Sequence, residues 1–288
     1  MSIWKRLFGR RRRRQEATPS RKAGISREYQ RVDPLEIGQG TDIGKARRAN
    51  EDTFLTLKSL IGAESEPLPV GLLIVADGMG GHVKGKEASS LATRVAGGVI
   101  VRDVLLPVLT GQASKVANRP IHEVLTEATM SANQAVSEME SNAGTTLTSV
   151  LVVGHSAYVA HVGDTRVYYL DDSGLKQITQ DHSLVNRLVE LGQISAQEAH
   201  EHPQRNFLYR AVGQGHELKV DTYFQRLKVG SHLILCSDGL WNPVPEEEMV
   251  DVVRSSSSPQ EACNRLVDRA NERGGEDNIT LLLARVNH

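Results

Sequence analysis

Residues 72–82 read LLIVADGMGGH, an apolar run that stops at Asp77 and continues into glycine. Residues 233–240, LILCSDGL, repeat the arrangement with Asp238 and Gly239. Short apolar runs bounded by turn residues are typical of buried strands. Asp-Gly is also a favoured surface turn, so one such aspartate alone would mean little. Two of them, each after a strand that is apolar on both faces, indicate carboxylates at the ends of sheet strands that can converge on one rim.

The rest of the chain predicts one continuous α+β domain over residues 31–288. Helical periodicity runs over residues 85–109 and 121–139, whereas residues 146–179 contain short β-branched and aromatic runs between tight-turn residues. Such a series is typical of an antiparallel meander. Further helices are predicted at 183–192 and 258–275, and further strands at 231–237 and 278–286. Long helices beside antiparallel strands favour a layered α+β fold over a parallel, doubly wound one.

Charge is distributed unevenly along the chain. The formal net charge of −1 conceals ten Lys or Arg and one Glu within residues 1–27, which leaves −10 on the remainder. Blocks of like charge repel, so residues 1–30 are predicted to be a disordered tail. Residues 1–22 combine Trp4 and Phe8 with basic residues and could lie on an anionic membrane surface; a solvated tail without a partner is the alternative. Nucleic acid is not expected, because the body is acidic.

Composition excludes several classes of protein. Cys236 and Cys263 are the two cysteines, and their separation argues against a disulfide framework and a zinc–thiolate site. No apolar stretch approaches the ~20 residues of a membrane span. The amino terminus lacks the apolar core of a secretory signal. We therefore expect a cytoplasmic monomer, peripheral on the inner membrane surface if its tail binds lipid.

Carboxylates recur beside the predicted strand ends. They are Glu51, Asp52, Asp77, Asp164, Asp238 and Asp277. Like charges a few ångströms apart raise one another's pKa, which is unfavourable unless a cation compensates. Oxygen ligands without a His or Cys cluster favour Mg²⁺ or Mn²⁺, and four or more carboxylates balance two divalent ions. Two such ions about 3.5–4 Å apart can activate water and hold phosphoryl oxygens. Gly78 would turn the chain away and leave its carbonyl free as a ligand.

A phosphate-binding loop is the rival interpretation of the same region. Residues 80–87, GGHVKGKE, match the G-x-x-x-x-G-K pattern between a strand and a helix. Glu87 replaces the required Ser or Thr, however, so an anion would face the phosphates. The antiparallel meander also conflicts with the parallel strands of that fold.

Eight segments in order resemble the metal-dependent serine/threonine protein phosphatases of type 2C, in their bacterial form. They are RRANED, VADGMGGHVKGKEAS, GTTLTSVLV, AHVGDTRVYYL, ITQDHSLVNRLVELGQIS, HPQRNFLYRAVG, LILCSDGLW and GGEDNITLLL. The resemblance covers about residues 36–287. It implies a four-layer α-β-β-α sandwich, with two antiparallel sheets face to face and helices outside. It also implies hydrolysis of phosphoserine and phosphothreonine in proteins by water activated between two divalent ions.

The resemblance assigns a role to most of the carboxylates. Asp77 is expected to bridge both ions, and Gly78 to give its carbonyl to one. Asp238 and Asp277 are expected to bind the first ion. The catalytic set implied by the resemblance is Asp77, Asp238 and Arg47.

The remaining assignments concern the second ion, a third ion and the substrate. Glu51 matches the acidic ligand of the second ion, with its neighbour Asp52 as the alternative. Asp164 matches a residue that, with Asp238, holds a third and weaker ion in bacterial members. Arg47 matches the arginine that grips the substrate phosphate, because a guanidinium can bind two phosphate oxygens.

Position 79 departs from the animal members of the family. Those carry a histidine taken as the general acid, and this chain has Met79, so the leaving-group proton must come from another source. We expect His82, His182 and His202 to be structural rather than catalytic. Residues 181–213 match a flap beside the active site that influences substrate choice. A catalytically silent regulatory module is the alternative function, although the intact carboxylate set argues against it.

Overall fold

The computed structural model describes residues 33–61, 68–80, 83–110, 119–139, 143–215 and 217–287. The predicted tail, residues 1–30, and His82 lie outside the described residues. The strands are β1 (Leu35–Asp42), β2 (Thr53–Ile61), β3 (Leu68–Ala76), β4 (Gly78–Met79), β5 (Gly144–Thr145), β6 (Leu147–Val153), β7 (Ser156–Val162), β8 (Arg166–Asp171), β9 (Gly174–Gln177), β10 (Asp221–Arg226), β11 (His232–Cys236) and β12 (Ile279–Val286). The helices are α1 (Val83–Ile100), α2 (Leu106–Leu109), α3 (Ile121–Ser137), α4 (Leu184–Glu190), α5 (Ala196–Glu201), α6 (Asp238–Trp241), α7 (Glu246–Ser255) and α8 (Pro259–Glu272).

Two five-stranded sheets form the centre of the domain. Their strand orders are β1-β12-β11-β8-β9 and β10-β7-β6-β3-β2, and β4 pairs with β5 in a small third sheet. Every pairing between these strands is antiparallel. This order confirms the predicted fold class, and it is incompatible with a phosphate-loop fold, which needs parallel strands.

Apolar side chains divide into three clusters that define the four layers. Between the sheets, Val75 of β3 and Val150 of β6 share a buried cluster with Leu235 of β11. The outer face of the β3 sheet packs against α1 and α3, through residues such as Ala92 and Leu125. The outer face of the β11 sheet packs against α6, α7 and α8. Successive side chains of each inner strand point to opposite faces. One face packs between the two sheets and the other packs against helices, so both faces are buried.

The predicted meander crosses from one sheet to the other. Strands β6 and β7 pair in one sheet, and β8 and β9 pair in the facing sheet. The crossing lies at Gly163–Asp164–Thr165, between β7 and β8. Runs of β-branched residues indicate strands but not which sheet accepts them, so the sequence could not locate this crossing. It places Asp164 on the rim between the sheets.

Two local predictions were incomplete. The helix predicted at 85–109 begins at Val83 and contains a π-helical segment, Val101–Leu105, just before Pro107. Proline lacks an N–H and its ring collides with the carbonyl four residues earlier, so a wider turn accommodates it. The Ser258–Glu261 spacing predicts a capping box. Ser258 does accept from the Glu261 N–H at 3.2 Å, but the Glu261 carboxylate accepts from the N–H of Ser257 instead. Among the helices described, none has the length and apolar content to cross a bilayer.

Candidate active site

Asp77 is fixed at the end of β3 by three hydrogen bonds to its backbone. Its N–H donates to Thr146 Oγ1 at 2.8 Å, and its carbonyl accepts from the Thr146 N–H at 2.8 Å. The Thr145 hydroxyl donates to the same carbonyl at 2.8 Å. The carboxylate at position 77 is therefore placed by rigid backbone rather than by its own rotamer alone.

Asp238 begins α6, directly after β11, and lies beside two further carboxylates. Its carboxyl is close enough to those of Asp77 and Asp277 for the negative charges to affect one another. Asp52 lies behind it, and Ser237 Oγ donates to Asp52 Oδ2 at 2.8 Å. One carboxylate oxygen of each, Oδ1 of Asp238 and Oδ1 of Asp52, is buried without a hydrogen-bond partner. Buried acceptors of this kind cost free energy unless a cation or donor reaches them.

Glu51 lies against the first turn of α1. A Cβ added to Gly85 would stand 2.0 Å from Glu51 Oε2, so glycine is required there for the carboxylate to approach the helix. The Glu51 N–H donates to Asn278 Oδ1 at 2.8 Å, and its carbonyl accepts from Ser89 Oγ at 2.5 Å. The positive end of the helix dipole stabilises a negative charge at this point.

Asp164 is buried in the turn between the two sheets. Its carbonyl accepts a hydrogen bond from Trp241 Nε1 at 3.1 Å. Gly163 adopts φ +112°, and a Cβ there would lie 2.5 Å from the Thr146 side chain. The close packing of this turn on Thr146 brings Asp164 near the strand end that carries Asp77.

Asp277 and Arg47 face each other at the mouth of the site. Arg47 Nη2 donates to Asp277 Oδ2 at 2.5 Å, and the Arg47 side chain is 46% exposed. The other oxygen, Asp277 Oδ1, accepts from the Asn278 N–H at 2.8 Å. Arg48, its neighbour, is an exposed residue.

These residues surround one cavity of about 230 Å³. Those singled out from the sequence that line it are Arg47, Glu51, Asp77, Gly78, Asp164, Asp238 and Asp277. Asp52 is not part of this lining, because its side chain turns toward Ser237. Thr146 and Asn278 also line the cavity, and sequence reasoning missed both. Asn206 and Leu208 from the flap complete the wall.

The carboxylates raise one another's pKa. Burial is the first cause, and it raises the pKa of Asp77 and Asp164 well above that of an exposed aspartate. Burial also raises the pKa of Asp52 to about 7 and that of Asp238 to about 6. The negative charge of neighbouring carboxylates adds to each of these shifts, including that of Asp238 on Asp77. Shifts of this kind mark a site that a cation would stabilise.

The carboxylate and carbonyl oxygens at the cavity suit a hard divalent cation, but several of the carboxylates are paired with protein groups in this structure. Within the described ranges, no three His, Cys, Asp or Glu side chains are arranged as ligands of a single ion. Arg47 is paired with Asp277, and Asp52 accepts a hydrogen bond from Ser237. The unpartnered oxygens of Asp52 and Asp238 are those a cation would satisfy.

Met79, His182 and His202 are the described residues that bear on the source of the leaving-group proton. Met79 lines the cavity, and Gln214 Nε2 lies 4.0 Å from its sulfur. His182 is buried, and both of its ring nitrogens contact protein groups. His202 Nδ1 accepts from the Gln204 N–H at 3.1 Å. Neither His182 nor His202 is among the residues that line the cavity.

The sequence profile described as Protein phosphatase 2C matches residues 61–273. The chain belongs to the protein phosphatase 2C family. Serine/threonine phosphatase stp of Listeria welshimeri is 39% identical over 249 residues, which cover 86% of this chain and 94% of that protein. The crystal structure of the Mycobacterium tuberculosis phosphatase PstP/Ppp superposes with a TM-score of 0.73 at 33% identity, over 88% of this chain and 99% of that one.

A second solved relative bears on the metal. It is the catalytic domain of PstP in complex with two manganese ions, with a TM-score of 0.70 and 31% identity over 88% of this chain and 99% of that one. The protein phosphatase 2C fold, two antiparallel sheets between helical layers, is the architecture found in this chain.

Proposed function

We propose that this protein hydrolyses phosphoserine and phosphothreonine in proteins with divalent metal ions at the cavity between the sheets. Membership of the protein phosphatase 2C family establishes the reaction class, and relatives across nearly its whole length are serine/threonine phosphatases. The observation that carries the proposal is the convergence of carboxylates from β3, β11 and β12 and the β7–β8 crossing on one cavity.

The proposed ligands follow from the side chains that line this cavity. Asp77 would contact both ions and the Gly78 carbonyl one of them, with Asp238 and Asp277 on the first ion and Glu51 on the second. Asp164 and Asp238 would together hold a weaker third ion. We place Asp52 behind this shell, where its bond to Ser237 orients the start of α6. Mn²⁺ and Mg²⁺ both suit an all-oxygen set.

The chain's own groups hold and orient the substrate. When bound, divalent ions supply Lewis acidity that makes water nucleophilic near neutral pH and offsets charge on phosphoryl oxygens. Arg47 stands half-exposed at the cavity mouth, where its guanidinium can donate two hydrogen bonds to a phosphate once it leaves Asp277. Leu208 and Met79 present apolar surface at the same cavity, which limits the access of bulk water to the phosphate.

Phosphate release from a phosphothreonine peptide, with and without Mn²⁺, tests this function. Wild-type protein should release phosphate only with the metal, and Asp238→Asn should lose about two orders of magnitude or more of kcat/KM. Asp251→Asn, an exposed aspartate on α7, is the matched control and should keep wild-type activity. No turnover by the wild-type protein with Mn²⁺ present would favour the regulatory module.

We also propose that residues 1–22 attach the enzyme to anionic membrane. The support is compositional: nine Lys or Arg and one Glu accompany Ile3, Trp4, Leu7 and Phe8 in this segment. Each basic residue near such a surface contributes about 1 kcal/mol, and the apolar residues add burial in the interface. The protein would then be peripheral, with its catalytic domain outside the bilayer.

Vesicle sedimentation tests the attachment. Full-length protein should sediment with phosphatidylserine vesicles and not with phosphatidylcholine vesicles, and added salt should weaken the effect. Deletion of residues 1–22 should abolish it, while an equally long neutral replacement controls for length. Equal sedimentation of the deletion variant would remove the membrane proposal and leave the catalytic one intact.

A further inference from the structure

The loop of residues 43–50, called here the arginine loop, carries Arg47 and lies against the segment that precedes β12. It follows β1 and contains no helix or strand of its own. The N–H groups of Lys45 and Ala46 both donate to the Gly275 carbonyl, at 2.7 and 3.1 Å. The backbone that carries the arginine is therefore bonded to backbone on the far side of the cavity mouth.

Glycine is required at two points of this contact. Gly44 has a φ of +76°, and a Cβ there would lie 2.2 Å from the Asp277 carbonyl oxygen. Gly275 has a φ of +56°, and a Cβ there would lie 2.9 Å from the Lys45 nitrogen. Side chains other than glycine are strained at such φ values and would also separate the two segments. The arginine loop is thus in direct backbone contact with the residue proposed as a metal ligand.

The side chain of Asn278 joins the two ends of the arginine loop. Its Nδ2 donates to the Ile43 carbonyl at 2.9 Å and to the Ala49 carbonyl at 3.0 Å. Its Oδ1 accepts from the Glu51 N–H at 2.8 Å. The residue is only 5% exposed, so water cannot readily replace these bonds. Both N–H groups of this one amide are therefore used to close the loop.

Asn278 and Arg47 also meet at the same carboxylate. The Asn278 N–H donates to Asp277 Oδ1 at 2.8 Å, and Arg47 Nη2 donates to Asp277 Oδ2 at 2.5 Å. The Arg47 side chain is 46% exposed, so little packing around it fixes its direction. The position of the guanidinium therefore depends on where the arginine loop places the backbone of residue 47.

We propose that Asn278 is a positioning residue for phosphate binding, and that it acts on the phosphate through Arg47. This inference rests on the proposed role of Arg47 in binding the substrate phosphate. The amide holds the arginine loop in one position relative to Asp277, and the guanidinium then faces a phosphate at the cavity mouth. Loss of the two amide donors releases the loop and weakens phosphate binding, while the carboxylates that line the cavity remain in the chain.

Calorimetric titration with inorganic phosphate at saturating Mg²⁺ measures this binding without turnover. Asn278→Asp keeps an oxygen for the Glu51 N–H and removes the amide donors to the arginine loop. We expect phosphate binding to weaken by about tenfold, since a misplacement of ~1 Å at such a site can cost up to about 10²-fold. With a phosphopeptide, the KM should rise by more than kcat falls, because binding of the phosphate is what is lost.

Asn287→Asp is the matched control. The Asn287 Nδ2 donates to the Asp33 carbonyl at 2.8 Å, so the same substitution removes the same kind of bond. Residue 287 follows β12 at the end where Leu35 pairs with Val286, the end of β1 farther from Asp277. This variant should bind phosphate as the wild type does.

A double-mutant cycle with Arg47→Ala separates positioning from other effects. If Asn278 acts through Arg47, adding Asn278→Asp to Arg47→Ala should change the phosphate affinity by less than about threefold, because the two residues serve one interaction. Repulsion of phosphate by the added carboxylate, or a general loss of packing, would persist in the Arg47→Ala background. The cycle therefore gives a result that a merely structural role would not give.

Two results would overturn the inference: wild-type phosphate affinity in Asn278→Asp, or an equal loss of affinity with and without Arg47. Should Asn278→Asp fail to fold by circular dichroism, Gly44→Ala is the second variant, because its Cβ would force the arginine loop away from the Asp277 carbonyl. Wild-type phosphate affinity in folded Gly44→Ala would refute the positioning role. Failure of the proposed catalysis would appear separately, as absent phosphate release by wild-type protein with Mn²⁺ while phosphate binding still depends on Asn278.

Discussion

Gly85→Ala is the sharpest test of the site, because the added methyl group should displace the Glu51 carboxylate while the fold is retained. The added Cβ would lie 2.0 Å from Glu51 Oε2 and 3.0 Å from the Gly78 carbonyl carbon. The nearer atom is the end of a flexible side chain, so the carboxylate can retreat while the helix stays in place. A retreat of about 1.4 Å restores an ordinary contact of 3.4 Å, and a displacement of only ~1 Å at a catalytic site can cost about 10²-fold in rate.

We therefore expect Gly85→Ala to lose about two orders of magnitude in kcat/KM and to need more Mn²⁺ for activity. Its free energy of unfolding in EDTA should change by less than about 2 kcal/mol, because alanine is the better helix former and offsets part of the strain. The assays are phosphate release from a phosphothreonine peptide over a Mn²⁺ titration, and urea unfolding followed by circular dichroism.

Gly98→Ala is the matched control in the same helix. A Cβ at Gly98 meets no atom within 4 Å, and the position is exposed. This variant should gain about 0.5–1 kcal/mol of stability with unchanged activity. If Gly85→Ala keeps the activity and the Mn²⁺ response of Gly98→Ala, Glu51 is not a ligand and the placement of the second ion is wrong.

Two further predictions concern charge. Arg47→Ala should raise the KM for a phosphopeptide by about 10–100-fold, which corresponds to the loss of a charge-assisted hydrogen-bonded pair. It should not weaken Mn²⁺ binding measured by calorimetry, because Arg47 and a cation compete for Asp277. An unchanged KM would contradict the phosphate-binding role. Burial raises the pKa of Asp238 from 3.8 to about 6, so its contribution to stability is fully present below pH 3.8 and is lost as the pH rises through about 6. In EDTA, the free energy of unfolding of the wild type, measured with urea, should therefore fall by up to about 3 kcal/mol relative to that of Asp238→Asn between pH 4 and 7. The same pH dependence in both proteins would refute the raised pKa of Asp238.

The sequence was most informative where a local pattern determines a long-range position. An apolar run that ends on Asp-Gly indicates both a buried strand and the point where it stops, which is why Asp77 and Asp238 could be placed at a common rim. Antiparallel order and the helical layers followed from the same periodicities. Confirmation of the fold class rests on the pairing of these strands and on the solved relatives.

The sequence was least informative where adjacent residues compete for one position. Glu51 and Asp52 are neighbours just before β2, and only the tertiary contacts decide that Glu51 lines the cavity while Asp52 bonds to Ser237. Thr146 was missed because a threonine before a strand carries no chemical signature. The π-helical segment was missed because the spacing of apolar residues does not show that Pro107 widens the preceding helical turn.

The direction of β1 determines where an N-terminal attachment can act. Leu35 pairs with Val286 at one end of the strand, and Asp42 pairs with Ile279 at the other, next to Asp277. Eight residues of strand span roughly 25 Å, so Leu35 lies about that far from the end of β1 beside Asp277 and the carboxylate-lined cavity. A lipid layer that captured residues 1–22 would therefore be connected to the domain through the end of β1 that is farther from Asp277.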